Sequence, residues 1–345
     1  MMQGSPVIRK QLETGKLGST LPIVGWFHFP LADPVADDFY NETVQTANDY
    51  DWDLVKIMTC GNYMPLAYGA DYEFSVSPEK WDGFFSSHPI TCAADAAALK
   101  PLVVAENKVL SDEVAVDARI VKRYKGTRPV LATLFDPLSW IQELTTPMHP
   151  AFTLDLLRSN PNEVLHALDA LQETNNAFLD ALINEAHIDG IFLATKFSTS
   201  TLLTPEEHRT FVLPYLEETA RQLEGRTWIN MLHVHGDTGL YFDDLLELGY
   251  QAYNWECIGT APGISSIADV RSKTDKMLIT GFDQNRDFMG TPAQVKERLK
   301  VRLFDSLAQN DGGQFVFGPG CTLPLTVNRE LFTLVHEVVE EAGLR

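Results

Sequence analysis

Apolar, β-rich runs punctuate the chain at 22–27 (PIVGWF), 54–58 (LVKIM), 130–135 (VLATLF), 190–195 (GIFLAT), 227–234 (TWINMLHV), 252–256 (AYNWE), 277–281 (MLITG) and 314–318 (QFVFG). Between most of them lie amphipathic stretches, for example 162–186 and 206–225, whose spacing predicts helices. Short apolar runs alternating with helices imply parallel strands joined by crossover connections. Eight such strands in 345 residues predict an α/β fold, a single-domain (β/α)8 barrel over 21–345. Residues 1–20 read as an N-terminal extension, and 59–128 as a long insertion between the second and third strands. A doubly wound open sheet is the alternative, but no GxGxxG follows the first run.

Local punctuation agrees with this division. Asn160-Pro161-Asn162-Glu163, Thr204-Pro205-Glu206-Glu207 and Thr291-Pro292-Ala293-Gln294 each offer an N-cap, a proline at the first helical position and Glu or Gln at the third. Gly225 and Gly249 mark predicted helix ends in the left-handed conformation. No Gly/Ser linker divides the chain.

Composition narrows the classes of function. Forty-seven acidic against 27 basic residues give a net charge of −20, which repels nucleic acid and anionic membranes. No apolar run approaches a membrane span and the start lacks a signal-peptide core, so a cytoplasmic protein is expected. Cys60, Cys92, Cys257 and Cys321 form no CxxC pair, so three read as buried small hydrophobes and a functional one as a thiolate.

In a barrel the chemistry sits at the C-terminal ends of the strands. The residues that fall there are His28, Asn62, Asp136, Lys196, His233 with His235, Glu256, Asp283 and Cys321. His233 and His235 are two apart, so in extended backbone both imidazoles share one face; taken alone, a core histidine beside a loop histidine explains the pair equally well. Glu256 ends the next run and could reach the same point, or face solvent as a charged strand end. Cys321 lies in GPGC, where Gly318 and Gly320 allow a sharp turn that aims the sulfur inward. Nitrogen and thiolate donors together favour zinc. A substrate thiol replacing Glu256 as fourth ligand would lose its proton and become a nucleophile at neutral pH. Lys196 reads as a solvated loop residue, with an anion contact as the alternative.

WFHFP (26–30), DWDLVKIM with GNYMPLAYG (51–69), DGIFLAT (189–195), LHVHG (232–236), NWE (254–256) and FGPGC (317–321) together resemble the uroporphyrinogen decarboxylase superfamily. Within it they are most similar to the zinc-dependent methylcobamide:thiol methyltransferases, of the coenzyme M type. The resemblance implies a (β/α)8 barrel that moves a methyl group from a corrinoid, carried on a partner protein, to a thiol. It implies zinc held by His233, His235 and Cys321, with Glu256 as the exchangeable catalytic ligand. His28, Asn62 and Asp283 become candidate substrate contacts, in a monomer or homodimer. His235 stands where that branch carries cysteine, which weakens the case for coenzyme M itself. The decarboxylase branch is the alternative, with Asp136 or Asp283 facing pyrrole nitrogens, but its arginine-rich N-terminal segment has no counterpart in PIVGWFHFPLADP. A corrinoid-binding protein without turnover is the non-enzymatic alternative.

Overall fold

The computed structural model describes residues 4–77, 83–259 and 261–345. Seven strands form one parallel sheet in sequence order: β1 (Val55–Lys56), β2 (Val130–Phe135), β3 (Gly190–Thr195), β4 (Met231–Val234), β5 (Ala252–Trp255), β6 (Met277–Phe282) and β7 (Phe315–Pro319). Helices lie between successive strands, which is why the strand interiors are buried almost without interruption. The result is a curled α/β sheet of the TIM-barrel kind.

The run at 22–27 is the exception, since no strand forms there. Ile23 makes one parallel bridge to Phe317 of β7, and its carbonyl accepts from the Asp53 amide beside β1. The chain then leaves the sheet as Phe27 enters an aromatic cluster with Phe29, Trp52 and Phe332. A regular eighth strand is therefore replaced by a short extended segment bonded toward both sheet edges.

The insertion carries helices at Tyr63–Ala67, Ala93–Ala98 and Lys108–Tyr124, with a small antiparallel pair of Tyr72–Glu73 and Phe84–Phe85. The 162–186 region is helical from Pro161 to Ala181 and continues as a π turn. Thr204 and Thr291 complete their capping boxes. Asn160 makes no side-chain cap, because it also terminates the preceding helix, its amide donating to Leu156. Gly225 takes φ +70°, whereas Gly249 does not enter the left-handed region.

Helix Gly4–Thr14 covers the N-terminal ends of the strands. Gln11 Oε1 accepts from the Phe315 amide at the start of β7, and Arg9 stacks over Trp228 ahead of β4. The C-terminal ends of the strands are left to the candidate site. Among the described residues no helix is long and apolar enough to cross a membrane.

Candidate metal centre

His233 lies in β4, in register with Ala194 of β3 and Asn254 of β5. Equal register in a parallel sheet puts side chains on one face, so the His233 ring meets the Asn254 amide, with Nδ1 and Oδ1 2.6 Å apart. Asn254 Nδ2 donates to the Ile279 carbonyl at 2.5 Å and the Pro319 carbonyl at 2.8 Å. Two carbonyls on that side fix the amide orientation, so Oδ1 is the acceptor and His233 Nδ1 carries the proton. The Nε2 lone pair is thereby aimed at Cys321, whose Sγ lies 3.6 Å away.

His235 follows β4, exposed at the cavity mouth, with Nδ1 3.8 Å from the same sulfur. The three donor atoms lie within 4.8 Å of one another. Zinc bonds of about 2.0–2.3 Å in tetrahedral geometry place a nitrogen and a sulfur roughly 3.5 Å apart, so the spacing fits such an ion. Burial pushes the His233 imidazole down to about 3, keeping it neutral as a ligand must be. Burial, then the neighbouring Glu256 charge, pushes the Cys321 thiol up to about 11, so binding an ion there releases a proton.

Close approach, rather than turn geometry, explains the glycines before Cys321. Neither Gly318 nor Gly320 has a positive φ. A Cβ on Gly320 would stand 2.7 Å from Glu256 Cα and 2.8 Å from the Trp255 carbonyl, and one on Gly318 would stand 2.7 Å from Val24. Bare backbone lets the cysteine loop settle against β5.

The other predicted residues divide. His28 and Asn62 line a cavity of about 280 Å³ that also opens on His233, His235 and Cys321. Glu256 is half-buried outside the three-donor group; its carboxylate accepts from Gln284, and burial raises its pKa. Asp283 does not line the cavity, because its carboxylate accepts from the amides of Asn285 and Arg286 in a turn. Asp136 caps helix Pro137–Leu144 through the amides of Leu138 and Ser139. Lys196 is not a solvated loop residue: it pairs with Glu143 and lies over Phe135 inside the cavity. Cys60 and Cys257 are buried as expected, but Cys92 is exposed at a helix cap.

Two residues of the site lay beyond the sequence reading. Asn254 was visible only as a letter of NWE, and its role depends on register. Lys56 was the one charge in LVKIM, a signal that could have been used.

A parallel α/β sheet with a His/His/Cys cluster at its C-terminal edge defines a TIM-like scaffold equipped for a metal ion. The chain belongs to the uroporphyrinogen decarboxylase (URO-D) family, whose model matches residues 29–342. Among solved structures it is similar to a methyltransferase from Methanosarcina mazei, with a TM-score of 0.78 at 16% identity over 99% of both chains. It is also similar to a B12-independent methionine synthase from Shewanella sp., with a TM-score of 0.56 at 13% identity over 94% of this chain and 99% of that one. At these identities the likeness shows the fold. Among curated proteins no sequence match is found.

Proposed function

We propose that this protein is a zinc-dependent methyltransferase that moves a methyl group from a methylcorrinoid, carried by a partner protein, to a small thiol. The observation that carries the reading is the three-donor cluster, with the His233 lone pair preset by Asn254, opening on a cavity of about 280 Å³. His233, His235 and Cys321 would hold a zinc ion, which would supply the Lewis acidity that lowers the pKa of a bound thiol. Asn254 holds the His233 tautomer, and Phe192 stacks on the same ring at 5.1 Å between centroids, fixing its plane. Glu256 serves as the exchangeable donor in this reading, since its field already reaches Cys321. His28 and Asn62 contact the acceptor from the cavity wall.

Tetrapyrrole decarboxylation draws less support. Both aspartates it would use are tied into caps and turns. The test is to mix zinc-loaded protein with methylcobalamin and a panel of thiols while following the cobalamin spectrum. Demethylation that disappears in Cys321→Ser supports the reading; no demethylation with any thiol overturns it.

A further inference from the structure

Two cavities meet at Thr59. This residue lines the cavity of about 280 Å³ beside the metal cluster, and it lines a second pocket of about 160 Å³ against the insertion helix Lys108–Tyr124. Among the described residues it is the one that these two linings share. Thr59 is buried, and its hydroxyl donates to Glu113 Oε2 of that helix. A threonine hydroxyl donates and accepts at once, so Thr59 can take a proton from one side as it gives its own to Glu113.

Glu113 suits the receiving end. The titratable groups around it are Asp33 from the loop before helix Ala36–Asp49, Cys60 and Tyr63 after β1, and Asp112 and Asp117 of its own helix. All are acids, and among the described residues no Lys, Arg or His forms an ion pair with Glu113 or Asp33. Burial above all raises Glu113 to about 7, so near neutral pH it both accepts and releases a proton. Glu113 and Asp33 keep some surface and line a pocket that is partly open, and Asp33 Oδ1 lacks a hydrogen-bond partner, which leaves an acceptor to which a proton can be handed on. The metal cavity's own carboxylate is already taken. Glu143 pairs with Lys196, and burial with the fields of Lys56 and Lys196 pushes His28 down to about 3.

We propose that Thr59 and Glu113 form a proton relay that takes the proton of a bound thiol from the metal cavity into the second pocket, a role that rests on the proposed thiol chemistry. The S–H bond breaks and its electron pair stays on sulfur. The proton joins Thr59 Oγ1 while the Thr59 O–H proton moves to the Glu113 carboxylate, so the threonine ends unchanged and Glu113 ends as a carboxylic acid. Glu113 then yields the proton to water in the partly open pocket, which restores its carboxylate. The proton thus leaves through the cavity wall while the acceptor keeps its place.

Cobalt(II) in place of zinc makes the loss of the S–H proton visible, because a thiolate on cobalt absorbs in the near ultraviolet and a free thiol does not. Cobalt-loaded, full-length protein is mixed with 2-mercaptoethanol in weak buffer near neutral pH, and the growth of this band is timed. Thr59→Val and Glu113→Gln are expected to form the band about 10-fold or more slowly than wild type, to the same final absorbance. The shared endpoint shows that both variants are folded and bind the thiol. Added imidazole, a diffusible base, is expected to restore both rates and leave wild type unchanged. Lys56→Met, which removes the metal cavity's other proton acceptor, is expected to keep the wild-type rate. Wild-type rates in Thr59→Val and Glu113→Gln, slow rates that imidazole does not restore, or slowing confined to Lys56→Met overturns the relay. Absence of the band in wild type overturns the relay together with the thiol chemistry. If the band behaves as expected but zinc-loaded protein with thiol leaves methylcobalamin intact, the relay stands and the methyl-transfer reading fails.

Discussion

Asn254 shows how much one side chain can organise. Its amide joins β4, β6 and the end of β7, and Pro319, one of its acceptors, stands two residues before Cys321. Leucine in its place is close in size but leaves two buried carbonyls and an imidazole N–H unsatisfied. Asn254→Leu should cost about 1–3 kcal/mol of stability per stranded group and weaken zinc binding about 10–100-fold, read by competition with a chromogenic chelator. Unchanged zinc affinity alongside lost stability would make Asn254 purely structural. Gly320→Ala tests the same loop by steric means, because its Cβ would press on rigid backbone of β5. Zinc content in that variant should fall well below one per chain while circular dichroism stays native. The histidine pair was legible in the sequence because period-two spacing needs no tertiary knowledge. Asn254 and the Lys196–Glu143 pair were not, since both depend on which strands adjoin and in what register.

At the scale of elements, the apolar runs at 130–135 and 190–195 became strands with those limits, because one face of each is covered by helices and the other packs inside the curl of the sheet. The run at 22–27 is as apolar, and pattern alone cannot distinguish a strand from a buried irregular segment. What decides it is the aromatic cluster that claims Phe27. The helix expected over 206–225 breaks at Val212, since Pro214 cannot donate back to the preceding turn and instead starts a second helix. The sheet edge near β1 is pinned from afar by Arg345, which is 4% exposed and pairs with Asp53 at 2.6 Å and Asp51 at 2.7 Å. Arg345→Met leaves buried Asp53 without its cation, while Asp51 keeps Arg128, and should cost about 3–5 kcal/mol in urea unfolding. A second device links the insertion to pH. Asp33 and Glu113 keep some surface, and both line a small, partly open pocket with Thr59 and Cys60. Burial, then Glu113, lifts Asp33 to about 8, and burial lifts Glu113 to about 7. Both bind their protons more tightly folded than unfolded, so their stabilisation is complete below about pH 4 and is lost as pH rises through 7 and 8. The thermal midpoint should fall over that window, with a shallower slope in Glu113→Gln; identical slopes would assign the effect elsewhere.

Across the whole molecule, the two ends of the sheet have separate work. The N-terminal helix and the Arg345 ion pairs close one end, and the His/His/Cys cluster with its cavity occupies the other. This division lets site variants be tested without dismantling the fold. The proposed ligands come from the end of β4 and the loop after β7, distant in sequence, so an ion would cross-link parts that are adjacent only in the folded chain. An ion that binds the native state alone stabilises it by about 2.7 kcal/mol at 100 times its Kd. Zinc should therefore raise the melting temperature of the metal-stripped protein by several degrees, in proportion to the logarithm of its excess, and a chelator should reverse it. Cys321→Ser and His233→Ala should each abolish the shift, because two donors hold zinc far more weakly than three. Asp283→Asn, altered outside the cluster, should keep it. A zinc-dependent rise of equal size in all four proteins would place the ion elsewhere on this acidic surface and remove the foundation of the methyltransferase reading. A rise confined to wild type and Asp283→Asn would locate the ion at the cluster before any catalytic assay is run.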